Sequence, residues 1–96
     1  MLDISNAPID QNAMSNGFNS AIGYMSGLEE LQMCECITNL KLTNVKNLFE
    51  NLFRGCKMLR SIDISKNTIS KENINSFFKL LEQSKIECLA ISQINL

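Results

Sequence analysis

Leu59-Arg60-Ser61-Ile62-Asp63-Ile64-Ser65-Lys66-Asn67-Thr68-Ile69 is the stretch on which the reading of the whole chain turns. Its centre, Ile62-Asp63-Ile64, alternates apolar and polar residues. That is the period of a short strand with one buried face. Two more stretches carry the same phrase: Leu2-Asp3-Ile4-Ser5-Asn6-Ala7-Pro8-Ile9 and Leu89-Ala90-Ile91-Ser92-Gln93-Ile94-Asn95-Leu96. A looser copy begins at Leu28, because Leu28, Leu31 and Met33 have the spacing of Leu59, Ile62 and Ile64. Aligned in this way, the strand centres Leu2, Leu31, Ile62 and Leu89 lie 29, 31 and 27 residues apart.

Between the phrases the apolar period changes from two to 3.6, the period of an amphipathic helix. Met14, Phe18, Ala21, Ile22 and Met25 share one helical face. So do Val45, Leu48, Phe49, Leu52, Phe53 and Cys56, and so do Ile74, Phe77, Phe78 and Leu81. The offsets Val45–Leu48–Leu52 and Ile74–Phe77–Leu81 are identical, so the repetition extends beyond the strands. Asp10, Thr43 and Ser70 are candidate helix N-caps, and Gly27 and Gly55 stand near the expected helix ends. The paired phenylalanines Phe49/Phe53 and Phe77/Phe78 read as core.

At Leu59-x-x-Ile62-x-Ile64-x-x-Asn67-x-Ile69 the chain resembles the leucine-rich repeat family, whose segment runs LxxLxLxxNxL. Spacings of 27 to 31 residues with a full helix are similar to those of the ribonuclease-inhibitor-like subclass. The resemblance implies an α/β solenoid of three to four repeats, with a parallel concave sheet and convex helices. The repeats would span about 1–27, 28–58, 59–85 and a partial 86–96 within a single domain, 1–96. Asn67 takes the place of the family's ladder asparagine, whose amide satisfies backbone groups in the turn. Cys36 takes a turn position that many repeats of this subclass fill with cysteine.

The second repeat departs from this pattern. The aliphatic residue after Met33 arrives late, behind Cys34-Glu35-Cys36, as if two or three residues were inserted in the turn. A rival register starts at Ile37 (Ile37-x-x-Leu40-x-Leu42-x-x-Val45) and makes the spacings 38, 22 and 27. The register through Leu31 keeps the periods even and the helix offsets equal, and is preferred. Leu2 enters at the second framework position, and Leu96 ends a phrase with no helix after it. Solenoid ends ordinarily need caps, so flanking repeats or a partner chain are expected.

Composition narrows the function. Nine Lys+Arg against ten Asp+Glu argue against a generally basic nucleic-acid binder. No apolar run reaches the roughly 18 residues a membrane helix needs, and no secretory signal is visible, so a cytoplasmic protein with reduced thiols is expected. There is no His, the commonest general base and metal ligand. Cys34-x-Cys36 is the one spacing that suggests a metal, and only Cys56 and Cys88 could complete a zinc set. These two sit on different predicted layers. Neither a metal nor another cofactor is expected, nor is enzymatic activity.

The sorting of charge is more informative. In the preferred register, strand residues between the framework aliphatics face the concave surface. They include Asp3, Glu29, Glu30, Gln32, Glu35, Arg60, Asp63, Lys66, Glu87 and Ala90, six of them acidic and two basic. The basic residues Lys46, Arg54, Lys57, Lys71, Lys79 and Lys85 fall on the helices and the turns around them. Binding of a protein partner, one with a basic surface, is therefore expected through Glu29, Glu30, Gln32, Arg60, Asp63, Lys66 and Glu87. Regulation of a small GTPase, or ligand sensing within a larger receptor-like protein, is the alternative that the family resemblance leaves open.

Overall fold

A computed structural model describes residues 1–6, 9, 21–37 and 42–94. Its elements in chain order are β1 (Leu2–Asp3), β2 (Glu30–Gln32), α1 (Leu42–Gly55), β3 (Ser61–Asp63), α2 (Lys71–Glu82) and β4 (Cys88–Ala90). The four strands form one parallel sheet, and their spatial order follows the chain, β1-β2-β3-β4. The pairing is Leu2 with Leu31, Leu31 with Ile62, and Ile62 with Leu89. The register through Leu31 is thus the observed one. Ile37 instead makes an isolated parallel bridge to Ile9, beyond the strands.

The reason lies in the two-residue period. With Leu31 and Ile62 turned inward, Glu30, Gln32, Ser61 and Asp63 face outward. Leu31 and Ile62 are each 1% exposed. Met33 and Ile64, two residues on, are buried on the same side. A slip of one residue would drive the carboxylates into the core.

Each strand is followed by the same turn. Four non-glycine residues take a left-handed backbone, Asn6, Glu35, Lys66 and Gln93, at φ 67°, 53°, 62° and 57°. Each stands four positions after its strand centre. The ladder continues through these turns. The N–H groups of Ile4, Met33 and Ile64 donate to the carbonyls of Gln32, Asp63 and Ala90. Those of Asn6, Glu35 and Lys66 donate to the carbonyls of Cys34, Ser65 and Ser92.

Asn67 ties two of these turns together. It is 2% exposed. Its Oδ1 accepts from the N–H groups of Cys36 and Ile37, both at 2.9 Å. Its Nδ2 donates to the carbonyls of Met33 at 2.9 Å and Ile64 at 2.7 Å. One side chain thereby pairs with four backbone groups in a buried turn, where an unpaired group is costly.

The helices cover the inner face of the sheet. Val45, Leu48, Phe49 and Leu52 of α1 and Ile74 and Phe77 of α2 are buried in one core with Leu31, Ile62 and Ile64. Phe77 is the hub between the helices. Its ring meets Phe49 edge-on at 4.9 Å and Phe53 at 5.5 Å. Phe78 departs from the expected core: it is 39% exposed, because one helical step rotates it about 100° away from Phe77. Ser70 caps α2, its hydroxyl accepting from the Asn73 N–H at 3.2 Å. Thr43 lies inside α1, which begins at Leu42. The cap expected at Asp10, and the helical positions Met14 and Phe18, lie outside the described residues. Gly55 ends α1 directly against the backbone of Gly23, where any Cβ would collide.

Two substitutions test this packing. Phe77→Ala should cost about 3–5 kcal/mol, since the hub of three rings becomes a cavity. The loss reads as a fall in the denaturant midpoint, and an unchanged midpoint would place Phe77 outside the core. Asn67→Ala should cost on the order of 3 kcal/mol, because the buried N–H groups of Cys36 and Ile37 and the Ile64 carbonyl lose their side-chain partner while the Met33 carbonyl keeps only the Cys36 thiol. Urea unfolding followed by circular dichroism measures it.

Candidate functional site: the outer face of the sheet

The outward strand positions form two rows across the sheet. One runs Glu30, Ser61, Cys88, and the next runs Asp3, Gln32, Asp63, Ala90. Neighbouring strands in such a ladder lie about 4.8 Å apart. Asp3 and Asp63 are thus separated by one uncharged residue, Gln32. Between the rows lies a shallow depression of 210 Å³, lined by Glu30, Gln32, Ser61, Asp63, Cys88 and Ala90, with Met1 at its margin.

Of the seven residues expected to bind a partner, the structure brings Glu30, Gln32 and Asp63 into this depression. Glu29, Arg60 and Glu87 precede their strands and form a rim at one end. There Arg60 Nε lies 3.5 Å from Glu29 Oε1. The Glu87 N–H donates to the Arg60 carbonyl at 2.8 Å, which fixes the rim backbone. Lys66 is at the opposite end, in the turn after β3, with Nζ 3.9 Å from Glu35 Oε1. Both pairs are about half exposed, so each contributes only about 0–1 kcal/mol. Their effect on the face is larger than on stability. The two cations are each held beside a glutamate, while the carboxylates of Glu30 and Glu87 have no partner among the described residues.

The aspartates are fixed by their own turns. Asp3 Oδ1 accepts from the Ser5 N–H, and Asp63 Oδ1 accepts from the Ser65 N–H, both at 2.9 Å. The Ser5 N–H and hydroxyl hold the Asp3 carboxyl below its ordinary range. At Asp63 partial burial pushes upward. The Ser65 N–H and hydroxyl, the Cys34 thiol and Lys66 outweigh it, and the carboxyl stays below its ordinary range. Both groups are therefore carboxylates at neutral pH.

A column of small polar residues behind the aspartates went unnoticed in the sequence. Ser5 Oγ accepts from the Cys34 N–H, and Ser65 Oγ accepts from the Ser92 N–H, both at 3.0 Å. The signal was present, since residues 5, 34, 65 and 92 each stand three positions after a strand centre. Ser61 and Cys88 were overlooked too. They carry no charge and acquire their place only from the lateral pairing with Glu30.

The four cysteines are free thiols. Cys36 is buried, donates to the Met33 carbonyl at 3.0 Å, and is pushed up to about 12 by burial and then by Cys34 nearby. Burial also pushes the Cys56 thiol up. Cys34 is raised by burial and by Asp63. Thiols so shifted are poor nucleophiles. No group of three or more potential metal ligands occurs among the described residues. No helix among them is long and apolar enough to cross a membrane.

Comparison with family models, with curated proteins and with solved structures finds no match to this chain. The chemistry of the face is what remains to define its role. It offers fixed carboxylates, an amide and hydroxyls around a shallow depression on the sheet.

The Asp63 carboxylate sets a pH dependence. Its folded pKa lies below the unfolded value of about 3.9, so between the two the unfolded chain binds more protons. Its contribution is complete above about pH 4 and is lost as pH falls through the folded pKa. Asp63→Asn should therefore flatten the decline of the urea midpoint as the pH falls below about 4. A variant as acid-sensitive as the native chain would mean that Asp63 holds no such bond.

Proposed function

We propose that this chain is a leucine-rich-repeat segment of the ribonuclease-inhibitor-like kind, and that it binds a protein partner through the outer face of its sheet. The family reading is supported by strands paired in register at 27-to-31-residue spacing, by the left-handed residue four positions after every strand centre, and by the four hydrogen bonds of Asn67. The repeats would run 1–27, 28–58, 59–85 and 86–94 onward. No catalytic role is assigned to the chain.

The observation that carries the binding reading is the imbalance of charge on that face. Arg60 and Lys66 stand beside Glu29 and Glu35, which leaves Asp3, Glu30, Asp63 and Glu87 as net negative charge around the depression. A protein with lysines or arginines on an exposed surface complements it. Gln32 and Ser61 supply uncharged hydrogen-bonding groups between the carboxylates. Electrostatic complementarity of this kind raises the rate of encounter and fixes orientation more than it raises affinity.

Selection of displayed random peptides on the immobilised chain tests the proposal. Lysine- and arginine-bearing sequences should be enriched, and their binding should weaken steeply with added salt. Charge reversal of Glu30 and Asp63 together should abolish the enrichment and flatten the salt dependence while leaving the circular dichroism spectrum unchanged. Reversal of Lys71 and Lys79 on α2 should leave binding intact. Enrichment that survives the first pair and disappears with the second would make the helical side the working surface.

A further inference from the structure

Three of the cations that the sequence sorts away from the sheet come together on the helical side. A groove of 300 Å³ runs between α1 and α2, with Phe53, Arg54 and Lys57 on one side and Leu80, Gln83 and Ser84 on the other. A smaller hollow of 110 Å³ adjoins it, shares Phe53, Lys57, Gln83 and Ser84, and adds Lys85. The floor is apolar and firm. Phe53 and Leu80 are half-buried against the core, and the Phe53 ring rests 5.5 Å from the buried Phe77. Cys56 and Leu59, both buried, line the smaller hollow.

The cations around this floor are uncommitted. Arg54, Lys57 and Lys85 are exposed, and none of their side chains has an ion-pair or hydrogen-bond partner among the described residues. Glu50 is the one acid in the lining among the described residues. It stands four positions before Arg54, the spacing of a helical ion pair, yet the two do not pair. Glu82 is outside both linings. The backbone under the cations is held in place. α1 stops where Gly55 meets Gly23, and the Cys56 N–H donates to the Leu52 carbonyl at 2.9 Å, which sets the turn that carries Lys57. Ser84 Oγ donates to the Leu81 carbonyl at 2.7 Å and accepts from the Ile86 N–H at 3.2 Å, which sets the turn that carries Lys85. The negative ends of the two helix dipoles favour cations here, but they do not account for an apolar groove between them. Like charges gathered around one groove repel, and an anionic occupant relieves that repulsion.

We infer that this groove docks an acidic peptide segment of a second protein, with an apolar side chain seated between Phe53 and Leu80 and carboxylates beside Arg54, Lys57 and Lys85. A peptide fits better than a lipid surface. The apolar part is recessed between two helices, whereas interfacial binding needs an apolar face that reaches into the acyl boundary. An apolar anchor inside a charged rim is also the usual anatomy of a protein contact. The inference concerns the helical side and does not depend on the partner proposed for the outer face.

Fluorescence anisotropy on the full chain tests it, with a labelled peptide of glutamates flanking a leucine–phenylalanine pair as the probe. The peptide should bind saturably and weaken with added salt. The same peptide with glutamine for glutamate, or with serine for the apolar pair, should bind about fivefold more weakly or worse. Arg54→Gln with Lys85→Gln, both at exposed positions, should weaken the glutamate peptide to a similar degree with unchanged circular dichroism. Glu50→Gln should tighten it up to about fivefold, a gain that no loss of folding can imitate. Lys71→Gln with Lys79→Gln, outside the groove, and Glu30→Gln with Asp63→Asn, on the outer face, should leave it unchanged. The inference fails if the glutamate peptide does not bind, if the glutamine peptide binds as well, or if Lys71 and Lys79 matter as much as Arg54 and Lys85. It fails too if phosphatidylserine vesicles bind through Arg54 and Lys85 while the peptide does not, which would make the groove a membrane contact. Sedimentation that shows copies joined through Arg54 and Lys85 would overturn it as well, making the occupant a second copy.

Discussion

Everything in this small domain depends on keeping parallel strands in one phase. Strand side chains alternate faces, so Leu31 and Ile62 reach the core only if Glu30, Gln32, Ser61 and Asp63 all point away from it. Three-residue strands have few ladder bonds with which to enforce that choice. Asn67 enforces it from outside the strands, holding its own turn at Ile64 and the preceding turn at Met33, Cys36 and Ile37. The phase that buries the aliphatics is also the phase that gathers the carboxylates on the outer face. Fold and candidate site are two results of one constraint.

Most of this architecture was legible because its determinants are local. Ile62-Asp63-Ile64 writes its own period, and Asn67 stands at a fixed offset from it. The equal helix offsets at Val45–Leu48–Leu52 and Ile74–Phe77–Leu81 announce that both helices turn these residues toward the core, although Leu81 is only partly buried where Leu52 is fully so. The choice of Leu31 over Ile37 as the second strand followed from even spacing, and the pairing of Leu31 with both Leu2 and Ile62 agrees with it. Phe78 was misread because residue type says nothing about rotation. It has the same ring as Phe77, turned one step out of the core.

The finer features of the outer face were less visible, for a physical reason. Which cation sits beside which carboxylate depends on side-chain reach between strands, so Arg60 beside Glu29 and Lys66 beside Glu35 could not be taken from either segment alone. Ser61 and Cys88 are ordinary residues that matter only through their neighbours. The contact between Gly55 and Gly23 is another case, since nothing near either glycine names the other. Charge sorting, by contrast, survives summation over a face and was readable without any pairwise detail.

The strand order β1-β2-β3-β4 has a kinetic side. Among the described residues each strand pairs with its neighbours in the chain, so each pairing closes a loop of similar length, 27 to 31 residues between centres. Loop-closure entropy grows only with the logarithm of length, and no single closure dominates the search. In the middle of the chain Phe49, Phe53 and Phe77 meet and Asn67 bridges two turns. Structure that condenses there can add β1 on one side and β4 on the other in separate steps. Opening by the same route would release β1 and β4 before β2, β3 and the helices packed on them.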